Sequence, residues 1–205
     1  MTDARPMKWT EHGIARAIAL QVLSRKCVVL VDNCNWTGHE CDVLAVTRDL
    51  RIIDIEVKIS RADLKADADK GKWWQYLTYD KARDLGMDVT NWSENERKVR
   101  TDWPRKVWKH YYALPRNIWM PELSECLPSK ASGVLLLSEQ KNSQTPIVVH
   151  CERRATPNKS AMPITAAAAI DIARLANLRM WEAYRRRDQA VEDMRRRAET
   201  AGVLT

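Results

Sequence analysis

The 205 residues include no phenylalanine; nine tryptophans and five tyrosines carry the aromatic content, an imbalance for which the sequence offers no physical account. No apolar run approaches the roughly 18 residues that a membrane-spanning helix requires, so a soluble chain with no membrane partner is expected. Cys-x-x-Cys pairs are missing as well. The five cysteines stand at 27, 34, 41, 126 and 151, and without that spacing a structural zinc is not expected. An odd number of cysteines without a secretory signal points to reduced thiols and a cytoplasmic location. Acids are outnumbered, 27 against 34 lysines and arginines, which leaves a net charge of +7 and favours a polyanionic partner without naming it. The length fits one domain of ordinary size, alone or with an appendage.

What is present is organised around residues 38–60, GHECDVLAVTRDLRIIDIEVKIS. Apolar residues follow Asp42 as far as Val46, a polar turn runs through Arg48 and Asp49, and strict alternation continues from Arg51 to Ile59, the pattern of a two-stranded hairpin. Side chains two apart share a strand face, so Ile53, Ile55, Val57 and Ile59 point one way and Ile52, Asp54, Glu56 and Lys58 the other. One face is then core and the other carries charge. Pairing about Asp49 sets Asp42 opposite Glu56 on the charged face. Like charges facing each other on a sheet cost about 0.2–1 kcal/mol, a cost that a divalent cation would offset. Carboxylate oxygens suit Mg2+ or Mn2+. Lys58 beside them adds a fixed positive charge and a proton donor, and such a set polarises a phosphodiester and stabilises an in-line displacement. The same letters also fit a strand that merely turns its charges to solvent.

Asp42, then Glu56-Val57-Lys58, then SRADL at 60–64 and KWWQYL at 72–77, resemble the PD-(D/E)xK nuclease superfamily and, within it, the MmcB-like DNA-repair proteins and their phage relatives. The likeness covers roughly residues 10–152. It implies an α/β fold with an αβββαβ core on a mixed central sheet, and Mg2+-dependent hydrolysis of DNA in repair, recombination or phage DNA metabolism. It also implies Asp42, Glu56 and the Val57 carbonyl as metal ligands, with an acid on the first helix completing the set; Glu11 is the candidate. Lys58 would orient or activate the attacking water. Cys41 stands where the superfamily has its name-giving proline. Inactive members exist, so a non-catalytic DNA-binding or adaptor module on the same fold is the alternative.

Thr10 reads as the N-cap of a helix reaching Leu23, with Glu11, Ala15, Ile18 and Val22 on one stripe; a helix dipole also favours a first-turn glutamate. Residues 27–31 read as the first strand. After Lys58, Ser60 and Asp63 form a variant capping box, opening a helix expected to reach about Arg83 with a break at Gly71. That helix carries Lys65, Lys72, Trp74, Gln75 and Tyr79, basic and aromatic groups that suit phosphates and bases. Gln75 and Tyr79 resemble the Gln-x-x-x-Tyr element of RecB-type nucleases. Trp73, Tyr76 and Leu77 equally read as a core stripe.

Residues 84–105, with Trp92 and Trp103, form a polar insertion, either a DNA-contacting lid or a surface excursion. Strands are expected at 106–114, 133–137 and 146–151, the last two as a hairpin closing the sheet. The domain plan is therefore a nuclease-like unit over 1–152 and, over 153–205, a linker followed by a C-terminal helical extension of one helix or two. Between 164 and 205, eight arginines face six acids, so this is not a polybasic tail. Docking on the sheet through Ile170, Ala173, Leu178 and Trp181, or a homodimer through these helices, is the expected role, with DNA contact by the arginine triplets secondary.

Overall fold

Thr10 accepts a hydrogen bond from Gly13 N at 3.1 Å, so α1 (Glu11–Ile18) begins where its cap is written, and it runs on into a wider π turn ending at Leu23. In the computed structural model, residues 8–89, 98–140 and 146–200 are described. Alternating and apolar runs form β1 (Cys27–Cys34), β2 (Cys41–Thr47) and β3 (Ile52–Val57), followed by α2 (Arg61–Ala66), whose cap Ser60 accepts from Asp63 N. Next come β4 (Trp74–Tyr76), α3 (Tyr79–Asp84), β5 (Lys98–Arg100), β6 (Val107–Pro115), β7 (Gly133–Glu139), β8 (Ile147–Arg153) and α4 (Ala166–Thr200). Six strands make one mixed sheet in the order β1-β2-β3-β6-β7-β8, while β4 and β5 pair separately. The β3–β6 and β6–β7 pairs are parallel and the others antiparallel, and β7–β8 closes the sheet as expected.

The hairpin register is the expected one: Val43 pairs with Ile55 and Val46 with Ile52. Both of its faces are covered, however. On one, Ile14, Ala17 and Ile18 of α1 pack against Val43, Ala45, Ile53, Ile55 and Val57. On the other, Leu44, Val46 and Ile52 lie beneath Ile164, Ala169 and Ile172, and Tyr112, Leu114, Val134 and Leu136 beneath Leu64 and Trp73. Asp54, Glu56 and Lys58 are therefore buried, each no more than 2% exposed, instead of lining a solvated face. A central strand between parallel and antiparallel neighbours is covered on both sides, and its charged residues must find partners inside.

Three expectations are corrected. The helix expected over 60–83 is two short helices with 3-10 turns and a strand between them, because Trp74–Tyr76 pairs with Lys98–Arg100 of the insertion. Trp73 and Leu77 are core, but Tyr76 is exposed. Residues 164–199 give a single helix, whose docked residues are Ala169 and Ile172, with Ala168, Leu175 and Ala176 beside them. Ile170, Leu178 and Trp181, expected to dock, are more than half exposed. The stretch read as a linker is tied to the sheet, with Thr156 N donating to Ala131 O, Asn158 N to Trp108 O and Ile164 N to Leu50 O. Trp92 lies outside the described residues.

Candidate metal and nucleic-acid site

Asn33, opposite Asp42 between the Asp32–Val43 and Cys34–Cys41 pairs, has left-handed backbone (φ 45°). Alternation along β2 breaks at this point. Cys41, Leu44 and Val46 pack on the α4 face, whereas Val43 joins the α1 core and Asp42 lines a cavity of about 130 Å3 with Glu11, His12, Ala15, Asp32, Asn33 and Val57. Asp42 is level with Glu56 along the hairpin and lies within reach of the charges of Glu56, Lys58 and Lys70, while it also lines the cavity beside α1.

On the α1 side, Asp42 Oδ2 accepts a hydrogen bond from Val57 N at 2.7 Å. Burial, and then the charge of Glu56, raise the Asp42 carboxyl to about 6. Glu11, in the first turn of α1, completes the acidic lining with Asp32. Oxygen donors from Asp42, Glu11 and the Val57 carbonyl are the kind a hard cation takes.

On the other side stands a closed ionic cage. Glu56 Oε2 is 3.1 Å from Lys58 Nζ and 3.3 Å from Lys70 Nζ, and Glu56 Oε1 contacts Lys72 Nζ. Asp67, fully buried, answers the same three lysines at 3.1, 2.9 and 3.5 Å. Its Oδ2 also accepts from Tyr112 Oη at 2.6 Å and from Trp73 Nε1 at 3.1 Å. Burial works against the charge of Asp67, but Lys72, Lys58 and the Tyr112 hydroxyl outweigh it and hold the carboxyl well below the usual range. Burial likewise opposes the charge on Lys58, yet Glu56 and Asp67 hold its pKa above the ordinary value. The Lys58 ammonium is thus held between the carboxylates of Glu56 and Asp67.

Of the residues expected to bind nucleic acid, Lys72 has a side chain 2% exposed and paired with Glu56, and it lines an open cavity with Trp74 and Gln75. Lys65 is exposed on α2, and Gln75 and Tyr79 fall on β4 and α3, so their spacing of four is not one helical face. Trp74 carries the Arg100 guanidinium 4.9 Å above its ring. Trp103, Arg105, Lys106 and Asn158 also line that cavity, of about 670 Å3. Nothing in the local pattern marks Asp67; its partners Trp73 and Tyr112 come from a turn and from β6. An acid three residues before Lys70 and five before Lys72 is the one available hint.

No helix among the described residues is long and apolar enough to cross a membrane. No family model matches the chain, and no curated protein matches it. Among solved structures, a protein of unknown function from Silicibacter pomeroyi is similar at 19% identity and a TM-score of 0.44, over 92% of this chain and 96% of that one. A likeness at that level supports no statement about function.

Proposed function

We propose that the chain is a divalent-metal-dependent nuclease that hydrolyses DNA phosphodiester bonds, with the PD-(D/E)xK arrangement, acting in repair, recombination or phage DNA metabolism. The observation that carries this reading is the end of β3, where Asp42, which lines an acidic cavity with Glu11 and Val57, lies within reach of the charges of Glu56 and Lys58. Asp42, Glu11 and the Val57 carbonyl would hold Mg2+ or Mn2+, which supplies charge neutralisation of the phosphate and acidification of a water. Glu56 becomes the group that positions Lys58, since both its oxygens are engaged by lysines. Lys58 orients the phosphate and stabilises the charge that develops on it. The test is incubation of the purified chain with Mg2+ or Mn2+ and single-stranded, duplex, flapped and branched DNAs. Cleavage of at least one, absent in chelator, is expected; no cleavage of any sinks the proposal.

A second reading, a non-catalytic DNA-binding module, is favoured by one observation: Glu56 already lies among the ammonium groups of Lys58, Lys70 and Lys72. Such a module binds DNA with an affinity that Mg2+ leaves unchanged.

Both readings place a strand along the Trp74–Trp103 cavity, whose Arg105 and Lys106 are exposed. Arg105→Ala, Lys106→Ala and Lys65→Ala are each expected to weaken DNA binding for all sequences alike and to lower the salt slope by about one unit. Titrations across a salt series check this, and unchanged slopes in all three variants would move the strand elsewhere.

The exposed apolar residues of α4, among them Ile170, Leu178, Trp181, Val191 and Met194, fit pairing with a second copy. Light scattering should then give twice the chain mass for wild type and the monomer mass for a Leu178→Glu, Trp181→Glu variant.

A further inference from the structure

His39, Cys41, Asp54 and His110 meet on the α4 side of the sheet, away from the acid-lined cavity. Gly38, at φ 98°, turns the chain before His39. Cys41 opens β2, and Asp54 of β3 is level with His110 of β6. His39 Nε2 is 3.0 Å from Asp54 Oδ2 and 3.7 Å from Cys41 Sγ, and one ligand atom from each of these three lies within 4.8 Å of the others. His110 Nε2 is 3.9 Å from Asp54 Oδ2. Ligands on a tetrahedron with bonds of about 2.0–2.3 Å stand roughly 3.3–3.8 Å apart, so His39, Cys41 and Asp54 come within about 1 Å of that spacing and His110 joins them by a side-chain movement toward Asp54.

Asp54 Oδ1 and His110 Nε2, on fully buried residues, have no hydrogen-bond partner among the described residues. Leaving such buried atoms unsatisfied is destabilising, and a bound cation would relieve it. The outer ring nitrogens are held: His110 Nδ1 is 3.0 Å from Ser132 Oγ and His39 Nδ1 is 3.2 Å from Thr37 Oγ1. His110 Nε2, with Nδ1 donating to Ser132 Oγ, presents a lone pair, and His39 Nε2, which donates to Asp54 Oδ2, presents one once its proton shifts to the Nδ1 beside Thr37 Oγ1.

We propose that His39, Cys41, Asp54 and His110 form a binding site for a zinc-class divalent cation, distinct from the oxygen-donor site at Asp42. Two imidazoles, a thiolate and a carboxylate suit Zn2+ or Co2+ and not Mg2+. A thiolate and a carboxylate together carry two negative charges, which the cation balances. On binding, the Cys41 S–H bond is replaced by a sulfur–metal bond and one proton leaves to solvent. His39, with its side chain 14% exposed, is the way in. The ion would pin the loop before β2, and so the strand that carries Asp42, onto β3 and β6. The 68 residues between Cys41 and His110 hide the set from any spacing rule for zinc.

The test uses the full chain, stripped with chelator, dialysed under reducing conditions and titrated with Co2+ alone. Binding of one Co2+ per chain is expected, with a thiolate-to-cobalt charge-transfer band and the strong visible bands of four-coordinate cobalt, all erased by equimolar Zn2+ and untouched by excess Mg2+. Cys41→Ser should lose the charge-transfer band, Cys126→Ser and Cys151→Ser should keep it, and His110→Ala should weaken binding by at least about 10-fold. Because Cys41 is buried, His39→Gln, at the rim, serves as the second variant, with circular dichroism confirming that both fold. Zn2+ should raise the melting temperature of wild type and not of His39→Gln. No charge-transfer band in wild type, a band that survives Cys41→Ser, or an equal thermal rise in His39→Gln would overturn the assignment.

Discussion

Asp67→Ala is expected to destabilise the chain by about 3–5 kcal/mol, because removing one partner of a buried ionic network leaves the other charges uncompensated. For a chain of this length each kcal/mol lowers the melting temperature by roughly 2–4 °C, so a loss of more than about 6 °C should be read by circular dichroism. Lys58, Lys70 and Lys72 would face Glu56 alone, and Tyr112 Oη and Trp73 Nε1 would lose their acceptor. Adding Lys72→Met should recover part of the loss, since removing a buried pair costs less than breaking it. A melting temperature within about a degree of wild type for Asp67→Ala would show that the cage contributes nothing. The pH dependence follows the same group. Its folded pKa is depressed, so its contribution is present above the unfolded carboxylate value of about 4 and disappears as pH falls below it. Wild type should lose stability steeply below about pH 4, and Asp67→Asn should show a shallower acid limb.

Asp42→Ala should reduce Mg2+-dependent cleavage by on the order of 10^3-fold or more, corresponding to about 4 kcal/mol of transition-state stabilisation. The fold should survive. Asp42 is only partly buried, makes a single hydrogen bond to Val57 N worth about 1 kcal/mol, and repels Glu56. Lys58→Ala is a poorer probe: its ammonium is locked between Glu56 and Asp67, so activity and stability would fall together. DNA affinity of Asp42→Ala, measured without metal, should hold or rise as a negative charge near the phosphate is removed. Cleavage at the wild-type rate by Asp42→Ala would put the reaction elsewhere on the molecule.

The hairpin, its register, the caps at Thr10 and Ser60 and the closing β7–β8 pair were legible because each rests on residues close in sequence. The faces were not. Strict alternation does not hold along the whole of β2, where Cys41 packs on the α4 face and Val43, two residues on, joins the α1 core. Burial of Asp54, Glu56 and Lys58 depends on the elements that cover β3, which periodicity cannot report. Lys72 looks like a surface lysine until Asp67 and Glu56 are brought to it. In α4, alanine-rich turns offer several apolar stripes of similar strength, and the sheet takes the one through Ala169 and Ile172 instead of that through Ile170 and Trp181.

Arg179, bonded to Asp32 and to the Asn33 carbonyl, is the last residue of α4 anchored to the sheet among the described residues. From there to Thr200 the helix rises on the order of 30 Å over almost wholly exposed residues, with surface ion pairs such as Glu182–Arg186 and Arg195–Glu199 along it. That segment works as a stiff boom. Its arginine triplets, at 185–187 and 195–197, stand roughly 10 Å and 25 Å along the helix from that anchor. A flexible tail of the same composition would sweep a volume, whereas this one points.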